Sequence, residues 1–82
     1  HAKRRAAEIL AVLDEKVTIH DFRMVYGQKQ INLIFDMVVP FEYDKKRQEE
    51  LKESLGKLLK FTDERYECII TIERSYIGNA KE

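Results

Sequence analysis

Between Ile31 and Val39 the chain is apolar at every position except Asn32 and Asp36. A strand with one wet face alternates apolar and polar residues. A run this dense is expected of a strand covered on both faces, in the middle of its sheet. The run before it, Val17 to Tyr26, is rich in β-branched and aromatic residues. A polar turn around Gly27, Gln28 and Lys29 separates the two, which is the pattern of an antiparallel hairpin. Pro40 closes the second arm, because it has no N–H to give to a ladder.

The flanking segments have helical spacing. Residues 3–15 lack Gly and Pro and place Ala6, Ile9, Leu10 and Leu13 on one face. The basic opening Lys3-Arg4-Arg5 is a poor first turn, since the helix dipole favours acids there. A second helix is predicted over 45–61, capped by Asp44, with Leu51, Leu55, Leu58 and Leu59 as its stripe. Gly56 weakens it by about 1 kcal/mol relative to Ala, a cost that close packing on a neighbour would explain. Residues 66–75 form a third strand. Tyr66, Cys68, Ile70 and Ile72 share one face, and Glu67, Ile69, Thr71 and Glu73 the other.

The order is therefore α-β-β-α-β. A strand–helix–strand unit prefers a right-handed parallel crossover. That makes the third strand parallel to the second and puts the second in the centre. The fold class is α+β: a three-stranded mixed sheet with two helices on one face. The other face is left open.

Eighty-two residues suffice for one domain, here 1–82 with a core over about 3–77, and a tail from Gly78 to Glu82 expected to be disordered. Fifteen basic and fifteen acidic residues cancel, so nothing drives the chain toward nucleic acid. The single Cys68 excludes an internal disulfide and fits a reducing compartment. No run reaches the roughly 18–20 apolar residues that span a bilayer, and there is no signal-peptide pattern. The chain opens on His1 without Met, as expected of a processed product or of a soluble domain excised from a longer protein.

Turn length decides which polar side chains share a face. A three-residue loop, Gly27 to Lys29, sets His20 opposite Asp36. A two- or four-residue loop sets it opposite Phe35 or Met37. Burial favours the first register. It places Val17, Ile19, Val25, Ile31, Leu33, Phe35, Met37 and Val39 under the helices. It leaves Phe22, Met24, Ile34, Val38 and Ile69 on the open face, with Asp21 and Arg23 at the rim of the helix side. So much exposed apolar surface implies a partner, most simply a second copy.

On that open face His20, Asp36 and Glu73 are the candidate metal ligands. One imidazole and two carboxylates suit Zn²⁺, and the oxygen-rich set also suits Mn²⁺ or Fe²⁺. The rival account is a surface ion pair. Cys68 reads as a buried small hydrophobe, and Arg23 as the partner of Asp21. No nucleophile with a base and no phosphate-cradling loop is present.

His20-Asp21-Phe22-Arg23 with Gly27 resembles the His-Asp-Leu/Phe-Arg…Gly element in the cytoplasmic C-terminal domain of cation diffusion facilitator transporters. Asn32 to Pro40 resembles the second strand of a bacterial subgroup, and Ile72 to Tyr76 its last strand, where Asp is more usual at the place of Glu73. The likeness runs from about Ala6 to Ile77. It implies a ferredoxin-related, metallochaperone-like αββαβ domain that homodimerises, binds divalent metal near the dimer interface and regulates the transmembrane domain of the same transporter from the cytoplasmic face of the membrane. His20 matches a ligand of the family and Glu73 its last-strand carboxylate. Asp36 stands where many members have His. Thr71 and Ser75 replace a ligating His and Cys. The resemblance implies no enzyme activity. The rivals are a free-standing small-molecule-binding regulatory domain and an acylphosphatase-like enzyme; the Gly-poor turns supply neither a ligand cleft nor a phosphate loop.

Overall fold

The computed structural model describes residues 1–75; the expected tail, together with Tyr76 and Ile77, lies outside them. The elements are α1 (Ala2–Leu13), β1 (Thr18–Tyr26), β2 (Ile31–Pro40), α2 (Lys45–Thr62) and β3 (Tyr66–Ser75). The sheet order is β1-β2-β3, with β1 antiparallel and β3 parallel to β2. The architecture is the expected αββαβ mixed sheet.

Both helices lie on the face of β2 that carries Ile31, Leu33, Phe35, Met37 and Val39, all 5% exposed or less. Ala2, Ala6 and Leu10 from α1 and Leu51, Leu55 and Leu59 from α2 close over them. Burying such a side chain is worth roughly 1.5–3 kcal/mol, so this layer is the main stabilising term. On the other face Asn32, Ile34, Asp36 and Val38 are half-buried. Among the described residues only one face of β2 is covered by a layer.

In α2, Asp44 caps the first turn by accepting from the Arg47 N–H at 2.9 Å. The buried row is Gln48, Leu51, Leu55 and Leu59; Leu58, expected on the stripe, is 41% exposed. Gln48 is satisfied by donating to the Tyr43 carbonyl at 3.0 Å. Gly56 does not serve close packing, because a Cβ there would meet nothing within 4 Å. Gly56→Ala is therefore expected to raise stability by about 1 kcal/mol, which chemical denaturation would show as a higher midpoint at unchanged slope.

The hairpin differs from expectation in two places. Its loop has four residues, 27–30, closed by the Gly27 N–H donating to the Gln30 carbonyl at 2.8 Å, with Tyr26 paired to Ile31. Four residues alone would set His20 opposite Met37. Between His20 and Arg23, however, the register shifts by one. Asp21 and Phe22 stand against the single residue Phe35, and Asp21 takes φ 54°. This is a β-bulge whose first residue is left-handed, a place usually given to Gly but tolerated by Asp. His20 thereby still faces Asp36.

The bulge also corrects the face assignments of β1. Phe22 and Met24 turn to the helix side, where the Phe22 ring stacks on Phe35 with centroids 5.5 Å apart. Arg23 pairs with Ile34 and Val25 with Asn32, so these two lie on the open face. Asp21 and Arg23 form no ion pair with each other, and none with any other described residue. The cause is in the sequence: the core-facing residues Val17, Ile19, Phe22 and Met24 step by two, then three, then two. A strand can keep all four inward only by bulging once between Ile19 and Phe22.

Candidate metal centre

β1 delivers His20 and β2 delivers Asp36 as direct cross-strand partners on the open face. Facing residues in an antiparallel pair hold their Cβ atoms roughly 4.5–5.5 Å apart, close enough for both side chains to hold one ion. His20 is exposed, and its Nε2 lies 3.0 Å from the Thr18 hydroxyl. On β3 the residue beside Asp36 is Thr71; Glu73 lies beside Val38, one same-face step farther along. All three candidate ligands thus share a face, but β2 separates His20 from Glu73. Among the described residues no three His, Cys, Asp or Glu side chains converge to hold a metal. The donor types fit a divalent cation. Within one chain the geometry offers the His20–Asp36 pair, with Glu73 standing apart from it.

The bulge adds a residue that periodicity alone did not assign. Asp21, Arg23, Ile34, Asp36 and Thr71 line one open depression on this face. The only signal for it was the broken step between Ile19 and Phe22.

Elsewhere the chemistry is structural. Cys68 is half-buried in the groove between α2 and β3. Burial, with the Glu67 charge beside it, pushes its thiol up to about 11, so without a bound metal it is protonated at neutral pH and a poor nucleophile. At the far end of the helices Asp14 accepts from the Tyr43 hydroxyl at 2.7 Å, from Arg47 at 3.1 Å and from the Lys16 N–H at 3.0 Å. The Arg47 guanidinium lies 4.1 Å from the centre of the Tyr43 ring. This clasp ties the end of α1 to the start of α2.

No helix among the described residues is long and apolar enough to cross a membrane. No family model and no curated protein matches the sequence. Solved structures do. A zinc form of the candidate zinc transporter CzrB superposes with a TM-score of 0.76 at 17% identity, over 89% of this chain and 84% of that one. The chain has the fold of metal-transporter domains. The metal-bound C-terminal domain of the CzcD transporter from Thermotoga maritima gives 0.73 at 15% identity, over 88% and 86% of the two chains. A copper form of a MamM C-terminal domain variant gives 0.74 at 16%, over 90% and 94%. The αββαβ fold expected from the His20-Asp21-Phe22-Arg23 resemblance is thus the fold of solved transporter C-terminal domains, several of them in metal-bound forms.

Proposed function

We propose that this chain is the cytoplasmic, dimerising and metal-responsive domain of a divalent-cation efflux transporter, and not an enzyme. The observation that carries the reading is the His20–Asp36 pair, held in register on a sheet face that neither α1 nor α2 covers. The fold shared with metal-bound transporter domains supports it. Two rigid strands fix the imidazole and the carboxylate as first ligands, and a second copy seated on the same face supplies further ones, Glu73 being the nearest in kind. A bound Zn²⁺, Mn²⁺ or Fe²⁺ would act as a cross-link between strands and between copies. The transmembrane domain of the same transporter would receive the change.

Folding creates the site, so bound metal stabilises by mass action, by about 2.7 kcal/mol at a hundred times Kd. In a domain of this size that raises Tm by roughly 10–20 °C. Thermal melts with Zn²⁺ and with Mn²⁺, alongside mass by light scattering, are the test. His20→Ala is expected to remove the metal-dependent rise and to change the metal-free Tm little, because an exposed pair is worth under about 1 kcal/mol. A wild-type melt indifferent to both metals would overturn the metal reading.

A further inference from the structure

We propose that the free edge of β3 docks an extended, uncharged peptide segment, which joins the sheet as a fourth strand and sets a small apolar side chain beside Gly56. The site uses the edge and the helix side of β3 rather than the open face, so it stands apart from the metal and dimer reading above.

The backbone sets the first requirement. The Ile31 N–H donates to the Arg65 carbonyl at 2.8 Å. In a parallel ladder both backbone groups of a residue turn to one side, and successive residues alternate. Counting from Arg65, the odd-numbered residues of β3 bond β2, whereas Cys68, Ile70 and Ile72 turn N–H and C=O to the free edge. Tyr66 turns outward as well, and Lys60 of α2 reaches its carbonyl at 3.4 Å. No described residue bonds the edge groups of the other three. Sheet edges are ordinarily blunted by a bulge, a proline, an inward charge or a covering segment. β1 has such a guard, the bulge at Asp21. β3 stays in register with β2 over all ten residues and contains no Gly or Pro. Its edge residues turn Cys and Ile side chains, not charges, to the helix side. From Cys68 to Ile72 this row of donors and acceptors runs roughly 13 Å, at about 3.3 Å per residue. An extended chain is the partner that matches that spacing.

The groove between α2 and β3 sets the side-chain chemistry. It has a volume of about 690 Å³, with Cys68 and Ile70 on the strand side and Gly56 on the helix side. Each lysine along it is matched by a glutamate: Lys52 by Glu49 at 3.8 Å, Lys57 by Glu53 at 3.7 Å, and Lys60 by Glu67. The walls therefore offer no unmatched charge. A charged side chain entering here would lose water without gaining a partner, whereas an uncharged one meets apolar floor. Gly56 has no packing role within the chain, since a Cβ there would meet nothing within 4 Å. The clearance it leaves opens on the groove beside the β3 edge. In an added strand every second side chain points to the helix side, and Gly56 gives one of them room.

The test selects random nine-residue peptides, displayed on phage, against the chain. Synthetic peptides of the recovered sequences are then titrated into isotope-labelled protein and followed by amide NMR shifts. The expected binders carry small apolar residues at alternate positions and shift the amides of Cys68, Ile70 and Ile72 most. Methylating alternate backbone nitrogens of such a peptide should weaken it about ten-fold or more, because main-chain bonds carry the affinity. Gly56→Leu fills the clearance and should weaken binding about ten-fold or more, while its Tm is no lower than that of wild type. That contrast separates docking from folding. No recovered binder, binders that shift other amides instead, binders that tolerate methylation at every position, or equal binding to Gly56→Leu each overturn the proposal. Amides of Cys68, Ile70 and Ile72 that shift when the peptide-free chain is concentrated would give the edge to a second copy, and overturn it too.

Discussion

Phe22→Asp is expected to unfold the domain, whereas Ile34→Asp leaves it folded and converts a dimer to monomers. Alternation along β1 would put both side chains on the open face, so the contrast isolates the bulge. Phe22 is half-buried on the helix side, stacked on Phe35, which is 1% exposed. Removing a core Phe ring costs about 3–5 kcal/mol, and a carboxylate placed there has no partner for its charge. A domain of this length holds only about 4–12 kcal/mol in total. Ile34 points the other way, level with Arg23 and Ile69. An aspartate there meets water and Arg23, so urea denaturation should show a loss below about 1 kcal/mol. In a face-to-face dimer the same aspartate is buried in the interface without a partner for its charge, and light scattering should report monomers. A folded Phe22→Asp protein with wild-type stability would mean that the tip of β1 faces outward. A dimeric Ile34→Asp protein would mean that copies associate elsewhere.

The elements were legible because each has a strong local signal: the dense run in β2, the leucine rows of α2, the alternation of β3, and Asp44 before a helical run. Register was less legible. The expected His20–Asp36 pairing is correct although the expected loop was one residue too short, since the bulge at Asp21 takes up the extra residue. Two displacements of one cancel at His20 but not at Phe22, Met24 or Val25, which lie between the bulge and the turn. The step of three from Ile19 to Phe22 was visible, but it only acquires meaning once the core side of β1 is known. Glu73 was rightly placed on the outer face. Its distance from His20 depends on the offset of β3 against β2, which a parallel crossover does not encode locally. Asp14, Tyr43 and Arg47 show the same limit. Each looks like an ordinary turn or helix residue, and their contact spans about thirty positions in the chain.

Asp14→Ala is expected to cost about 3 kcal/mol, large for a polar residue at a helix end. The Asp14 side chain is only 6% exposed, and the Tyr43 residue likewise. Removing the carboxylate leaves the partly buried Tyr43 hydroxyl without its acceptor, a penalty at the lower end of roughly 1–3 kcal/mol, and deletes hydrogen bonds to a charged group worth about 1.5–3 kcal/mol before that overlap is taken out. The Arg47 end is 56% exposed and adds little. Asn at this position keeps one acceptor oxygen, for Tyr43, while its NH2 takes the place of the oxygen that accepts from the exposed Lys16 N–H, so Asp14→Asn should cost about 1–2 kcal/mol. The pair also predicts a pH dependence. Burial raises the Asp14 pKa, but the Tyr43 hydroxyl, the Lys16 N–H and Arg47 together outweigh it and hold the carboxyl below its ordinary 3.8. Tyr43 is raised in turn, by burial and then by Asp14, and so stays protonated as the donor. A carboxyl whose folded pKa is depressed contributes fully above its unfolded pKa and loses that contribution as pH falls through 3.8 and past the folded value. Asp63, held to about 2 by Arg65, titrates in the same direction in both proteins and cancels in a comparison. Urea denaturation of wild type and Asp14→Asn from pH 6 to pH 2 should therefore give a constant gap down to about pH 4–5 that narrows below it. A gap that stays constant to pH 2 would mean that the charge on Asp14 does not stabilise the clasp.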